Sequence, residues 1–491
     1  MSKKLSETRK LGEVKVSGKR LEEHLLWKGI SLWEVIETDF VLWVRRVIRG
    51  DIANKIDDKL TQLIKRYLKK LIYFLRKTGR EEPGGCDVAL IPFTKTQVQV
   101  LEPIFRKIVE KGYPACFLRY DNLLNDLKRL FEGRGLPYRT LEHYSSKQTK
   151  KELKDFEKKV DRLWNLMLRD VSFRREAGFD RIGPVFYYYF RGRKRILEVV
   201  MYASLLESFL RAEKPRVVIL PEDTSELGKI SVKVSKKFSI PVLTVQHGLI
   251  SESFPYRGRG ESDVYAVWGP EFKKVMNKWG IPKKKIKVVG CPLYDVVKVK
   301  KSLKFYKKFG LDPSVKTMVF ASQRIPERKK ALEVLAEFVA KVKNVQLIDK
   351  LHPVESYRAD LNEHLRYFKG KERVAIIRNE EKRMIELWPY CDILIGVDST
   401  VLLEGMVMGK PVIVLNPAGR KLSLPYTKYG AIEVKNVREL MNVVKAILSG
   451  KDIMKKMEAG RKKLIKEYFY KMDGKASERI AGIIEELMGA P

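Results

Sequence analysis

Apolar residues recur along this chain in two rhythms. Short aliphatic and β-branched runs stand at 88–92, 115–118, 217–220, 242–245, 264–267 and 286–289. A second series stands at 318–321, 345–348, 375–377, 393–397, 412–415 and 431–434. Between the runs, apolar residues return every third or fourth position, the spacing of an amphipathic helix. Short continuous apolar strands separated by helices are the pattern of a parallel sheet buried on both faces. The segment 391–416 shows one such unit. A strand-like run ends in Asp398, Ser399 and Thr400. Leu402, Leu403, Met406 and Val407 follow at helical spacing, and Gly409, Lys410 and Pro411 stop the helix before a second strand. The hydroxyl residues of its first turn serve as helix caps or, with the free N–H groups there, hold a phosphate.

The two series are divided by a lysine-rich stretch at 292–311 that lacks a strand pattern. The expected fold is therefore α/β: two doubly wound Rossmann-like domains facing a cleft, preceded by a basic helical appendage. The expected division places a basic segment at 1–82 and a first Rossmann-like domain at 83–297, interrupted by a helical insertion at about 145–213. A second domain at 298–472 and a closing helix at 473–491 complete the chain. From Leu60 to Leu75 the basic segment has an apolar stripe opposite lysines and arginines, with Trp27, Trp33 and Trp43 upstream. Such a helix either packs its stripe on the main body or anchors on an anionic membrane surface.

Composition narrows the picture. A chain of 491 residues is too long for one ordinary core, and 44% hydrophobic with 33% charged residues is a globular balance. The net charge of +38 implies an anionic partner: nucleic acid, an acidic membrane surface or a phosphorylated substrate. No run is long and apolar enough to span a bilayer, and the N-terminus has no signal-like apolar region. A cytoplasmic protein, peripheral on the inner membrane face if the appendage binds lipid, is the expectation. The scattered Cys86, Cys116, Cys291 and Cys391 are expected as buried reduced thiols. Abundant Lys and Glu beside scarce Asn and Gln suit a thermophile.

Ligands of open parallel sheets bind beyond the carboxyl ends of the strands, so the residues just after each run are the candidates. In the first half these are Glu222 and Asp223, then Gln246, His247 and Gly248. In the second they are Gln323 and Arg324, then Lys350 and His352, then Ser399 and Thr400, with Glu404 one turn into the helix. The second half offers cations and hydrogen-bond donors for a phosphate leaving group, and Glu404 either reaches ribose hydroxyls or complements the helix dipole. The first half offers a base. His247, beside a glycine that lets substrate approach, deprotonates an acceptor hydroxyl. Asp223 or Glu222 orients that imidazole, is itself the base, or caps the next helix. There is no P-loop, no Gly-x-Gly-x-x-Gly after a strand and no metal-ligand spacing. No metal and no cofactor is expected.

Lys350-Leu351-His352-Pro353, Asp398-Ser399-Thr400 with Leu403-Glu404, and Gly409-Lys410-Pro411-Val412-Ile413 together resemble the donor half of GT-B glycosyltransferases. The pattern is similar to CDP-glycerol glycerophosphotransferases, bacterial polysialyltransferases and capsule polysaccharide biosynthesis proteins. Gln246-His247-Gly248 is similar to the Trp-His-Gly of the glycerophosphotransferases. The resemblance implies donor-phosphate contacts from His352, Ser399 and Thr400 and a base at His247. It implies a metal-independent transferase moving a sugar or polyol phosphate from a nucleotide-sugar or a CDP- or CMP-activated donor to a glycan or lipid-linked acceptor. Two alternatives accompany it: a nucleotide-sugar 2-epimerase of the same fold, and, from charge alone, a non-enzymatic nucleic-acid-binding protein, for which no motif is present.

Overall fold

The computed structural model describes residues 10–48, 84–120, 127–192, 194–250, 260–295, 301–352, 355, 358–378, 381–382 and 384–489. The basic stripe expected at 60–75 lies outside them. The chain divides into two compact units. One is drawn from Met1–Trp268, Phe272–Asp295 and Gly474–Pro491, the other from Gly269–Glu271 and Val296–Asp473.

Unit 1 is built on seven parallel strands: β1 (Val88–Leu90), β2 (Ala115–Arg119), β3 (Tyr138–Thr140), β4 (Val217–Leu220), β5 (Val242–Val245), β6 (Val264–Val267) and β7 (Ile286–Val288). Their order across the sheet is β7-β6-β5-β4-β1-β2-β3. The chain starts in the middle, winds to one edge, then returns and winds to the other, which is the doubly wound arrangement. Alternation along the strands serves two cores. Val88, Leu90, Phe117, Val217 and Ile219 face one, while Ala89, Cys116, Leu118, Val218 and Leu220 face the other.

Helices cover both faces. α1 (Leu32–Ile48) precedes the sheet, and α2 (Lys95–Glu110) follows β1, capped by Thr94 and Gln97 in a reciprocal capping box. α3 (Lys147–Arg169) is the long helix of the insertion, capped by Ser146. α4 (Arg195–Glu213) is apolar nearly all round and buried along its length, as a helix inside a core must be. α5 (Glu226–Lys237) follows β4.

Residues 10–48 form two small antiparallel pairs and α1, and they are part of unit 1. Trp27 and Trp33 are buried. Phe40 is enclosed between Trp33, Phe186 and Tyr189, with ring centroids 5.0–5.4 Å apart. These aromatics are core residues, so the reading of Trp27 and Trp33 as flanking aromatics of a lipid anchor is corrected. Their rings are taken up in the core of unit 1.

Unit 2 has six parallel strands: β8 (Lys316–Ala321), β9 (Val345–Lys350), β10 (Val374–Ile377), β11 (Ile393–Gly396), β12 (Val412–Leu415) and β13 (Ile432–Val434). Their order, β10-β9-β8-β11-β12-β13, repeats the doubly wound plan. α6 (Arg358–Phe368) follows β9, and α7 (Thr400–Val407) follows β11. Part of the lysine-rich stretch is a helix, Leu303–Phe309, whose Phe305 stacks on Tyr390 at 3.8 Å. The last helix, α8 (Ala476–Met488), belongs to unit 1, where Ile480, Ala481 and Ile484 join the core beside α2. Among the described residues no helix is long and apolar enough to cross a membrane.

Because Phe40 is fully enclosed, Phe40→Ala is expected to lower the stability of unit 1 by about 3–5 kcal/mol in urea unfolding. A ring facing solvent would change it by less than about 0.5 kcal/mol.

Candidate active site

In unit 1 the turns after β4 and β5 line an open pocket of about 650 Å³, part of it continuous with solvent. Asp223, His247, Gly248, Thr244, Tyr265 and Trp279 are among its walls. The His247 Nδ1–H donates to the Pro221 carbonyl at 2.7 Å. A carbonyl can only accept, so Nδ1 carries the proton and Nε2 is the basic nitrogen. The imidazole is thus oriented by backbone, which corrects the expectation that Asp223 or Glu222 holds it.

Asp223 is buried and receives two donors on Oδ2: the Tyr265 hydroxyl at 2.5 Å and the Ser262 N–H at 3.1 Å. Its Oδ1 has no hydrogen-bond partner among the described residues. Burial raises its pKa, and the bonds from Tyr265 and Ser262 oppose the rise. The packing here is tight. A Cβ at Gly260 would meet the Tyr265 hydroxyl at 2.2 Å, and one at Gly228 would meet the Glu222 carbonyl at 2.6 Å.

Glu222 is occupied differently. Its carboxylate accepts from the Thr224 N–H and hydroxyl, the Ser225 N–H at 2.8 Å and the Ser225 hydroxyl. It fastens the turn that starts α5, while Ser225 caps that helix. Gln246 is likewise a latch: Oε1 accepts from the Trp268 N–H at 2.8 Å and Nε2 donates to the Gly248 carbonyl at 2.8 Å. The expected acceptor-side contact from Gln246 gives way to this structural use. At Gly248 an added Cβ would meet open space.

In unit 2 the sheet order reverses between β8 and β11, and the Asp398 N–H donates to Gln323 Oε1 across that point at 3.3 Å. Ser399 caps α7, accepting from the Val401 N–H at 3.3 Å, and Thr400 is exposed. Arg324 forms a two-pronged ion pair with Asp360, at 3.2 and 2.9 Å. Buried Lys350 donates to the Leu351 carbonyl at 2.6 Å. Half-buried His352 has its pKa lowered by burial, with Glu355 opposing. Glu404 has no hydrogen-bonded partner for its carboxyl among the described residues, and burial pushes its pKa up to about 7.

Beneath this edge lies a buried ionic cluster that sequence reasoning missed. The His352 N–H donates to Glu355 at 2.7 Å, Ser322 and Arg328 donate to the same carboxylate at 3.0 and 2.7 Å, and His364 from α6 binds Asp349 of β9 at 2.6 Å. The cluster thereby holds together the turns after β8 and β9. Burial alone would lower the His364 pKa, but Asp349 and Glu355 outweigh it and raise it to about 9. Glu355 is depressed to about 2, against burial, by His364, Arg328 and the His352 N–H. The available signal was only that a buried strand carries Asp349 among its polar residues. Nothing in the spacing paired it with a helix residue.

A protein-family model for UDP-N-acetylglucosamine 2-epimerase matches residues 198–485. The chain belongs to this epimerase family. The match spans the turns after β4 and β5 of unit 1 and all of the turns described in unit 2. Similar solved structures include a UDP-N-acetylglucosamine 2-epimerase with 15% identity, covering 83% of this chain and 97% of that one at a TM-score of 0.56. The Neisseria meningitidis UDP-GlcNAc 2-epimerase bound to UDP-GlcNAc has 14% identity, 81% and 99% coverage and a TM-score of 0.56. That from Methanocaldococcus jannaschii has 17% identity, 81% and 99% coverage and a TM-score of 0.53. At these identities the likeness to the solved structures is one of fold. Comparison with curated proteins gives no match.

Membership of the epimerase family confirms a GT-B-like enzyme fold and overturns the transferase reading. The resemblance to glycerophosphotransferases and polysialyltransferases rested on short strand-end motifs, whereas the family model spans residues 198–485, from before β4 of unit 1 through every strand of unit 2.

The raised pKa of His364 means that its charge stabilises the folded chain fully below the ordinary value of 6.5, and that this contribution fades as pH climbs through about 9. Between about pH 7 and about pH 9.5 the wild type is expected to lose about 2 kcal/mol more stability than His364→Gln, read by urea unfolding at both values. Parallel losses in the two proteins would show that His364 is uncharged.

Proposed function

We propose that the chain interconverts UDP-N-acetylglucosamine and its C2 epimer. The observation that carries this reading is the family match running continuously from α4 through α8. It is supported by the division of chemistry between the two units.

Inverting C2 requires the C2–H bond to break and a proton to return on the opposite face. That hydrogen has no adjacent carbonyl to acidify it. Its removal becomes feasible when the electron pair forms a C1–C2 double bond while the C1–O bond to UDP breaks. Re-addition of UDP to C1, with a proton delivered to the other face of C2, restores the sugar. Atoms and charge balance without a redox partner.

Unit 1 carries the proton-transfer groups of this scheme. Asp223, with its raised pKa and Oδ1 available, is one, and His247 through Nε2 is the other. Tyr265 and Pro221 position them. Unit 2 carries the groups for UDP. Ser399, Thr400 and the N–H groups at the start of α7 offer donors to the diphosphate, with His352 and Lys350 at the neighbouring strand end. Stabilising UDP as it departs is then a catalytic contribution and not only a binding one. Glu404 hydrogen-bonds the ribose. Gln323 and Arg324 shape the floor through Asp398 and Asp360.

Incubation of UDP-N-acetylglucosamine in D2O, followed by proton NMR, is expected to show the C2 epimer and loss of the C2–H signal in both sugars. Absence of both changes would overturn the reading. Asp223→Asn is expected to lower kcat by about 100-fold or more with UDP affinity within a few-fold of wild type. His352→Ala is expected to raise KM for the UDP-sugar by about 10-fold, read in the same assay under initial-rate conditions.

A further inference from the structure

Two of the four cysteines stand side by side. Cys86 stands just before β1, and Cys116 lies in β2, the neighbouring strand. Both are almost enclosed, at 2% and 4% exposure, and both face the core shared with α3 and α4. Their sulfurs are 2.6 Å apart. Non-bonded heavy atoms rest at about 3.5–4.0 Å even when both are carbon, and sulfur is larger. A disulfide holds its sulfurs at about 2.05 Å. The pair therefore sits well inside contact distance and nearer to a bond than to a packing contact.

A metal does not account for this approach. A structural zinc site takes four ligands, and among the described residues no three His, Cys, Asp or Glu side chains converge as a metal would require. A catalytic dithiol does not account for it either. Reactive thiols are partly exposed and have lowered pKa values, whereas Cys116 is buried and pushed up by Cys86 and by burial. Cys291 and Cys391 are also buried, each in a different part of the chain.

We propose that Cys86 and Cys116 form a structural disulfide that staples β1 to β2, leaving Cys291 and Cys391 as thiols. Two S–H bonds break and one S–S bond forms. The two electrons and two protons pass to a low-molecular-weight disulfide, which is reduced to two thiols. Because both sulfurs are enclosed in the folded unit, exchange occurs during folding, before the core closes over them. The bond links positions 30 residues apart and encloses α2, so it acts mainly by restricting the unfolded chain. A lysine- and glutamate-rich chain of this kind fits the setting in which intracellular disulfides persist, namely hyperthermophile proteins.

The test refolds the full chain from the reduced, denatured state in a glutathione redox buffer. The product is blocked with iodoacetamide and its peptides are mapped by mass spectrometry. The expected result is a Cys86–Cys116 linked peptide with Cys291 and Cys391 alkylated. Refolding with reductant instead is expected to lower the thermal midpoint by roughly 5–10 °C, and Cys86→Ser should abolish that difference. Four alkylated cysteines in the folded product would overturn the proposal, as would a linkage involving Cys291 or Cys391. The mapping is made on the wild-type chain, so it stands even if Cys86→Ser folds poorly.

Discussion

A parallel sheet covered on both faces leaves its chemistry one outlet. The interiors of β4, β5, β11 and β12 are buried along their whole length. A polar side chain there must find a partner or lose its hydration without compensation. Asp349 and Gln346 survive inside β9 only because His364 takes the first and Thr317 with the Asp312 backbone takes the second. The candidate polar groups therefore stand at the carboxyl ends. Asp223, His247, His352 and Ser399 all stand within three residues of the last residue of a strand. Both units obey the same constraint, which is why their candidate groups occupy equivalent topological places.

That constraint also decides what was legible in the sequence. Twelve apolar runs announced twelve strands, because a strand buried on both faces has to be apolar throughout. Within the two parallel sheets the strand that escaped notice, β3, is a sheet-edge strand of sequence Tyr138-Arg139-Thr140, half-exposed at its first two positions, so no apolar run marks it; the four two-residue strands before α1 are too short to show a period. The strand-end residues were legible for the same topological reason. What was hidden is everything set by partners far away in sequence. Glu222 reads as a free carboxylate until Thr224 and Ser225 are seen to close on it. Gln246 reads as a ligand contact until Trp268, 22 positions on, is found bonded to it. Tyr265 looks like any aromatic in a strand, yet its hydroxyl fixes Asp223.

The misassigned reaction has a physical cause of the same kind. Phosphate recognition at a helix N-terminus needs little more than a strand end, small hydroxyl residues and unpaired N–H groups, so many reactions that release a nucleotide share it. The motifs in unit 2 speak of a nucleotide and are silent on what leaves with it. Reaction type depends on which acids and bases stand in unit 1 and how their pKa values are set. There the determinants are tertiary: burial around Asp223, and a backbone carbonyl that fixes the imidazole tautomer of His247. Net charge is no guide to that environment. The chain carries +38, yet Asp39 and Glu404 have carboxyl groups that burial pushes up to about 7.

The first described segment, residues 10–48, lies outside the region matched by the epimerase model, yet it bears on the pocket. Asp39 of α1 accepts the Glu226 N–H at 3.1 Å, so a side chain from α1 supplements Ser225 at the start of α5. Lys229 of α5 reaches back to the Thr38 hydroxyl at 2.6 Å and the Glu34 carbonyl at 3.2 Å. Glu226 is held from the other side by Tyr189 and Arg195 of the helical insertion, at 2.7 and 2.6 Å. The 221–225 turn that presents Asp223 is thus the front end of a helix whose back is gripped by the added layer. A helix anchored at its first turn cannot rotate without breaking buried charge-assisted bonds. The added residues therefore act on the pocket through the rigidity of α5, although none of them lines it.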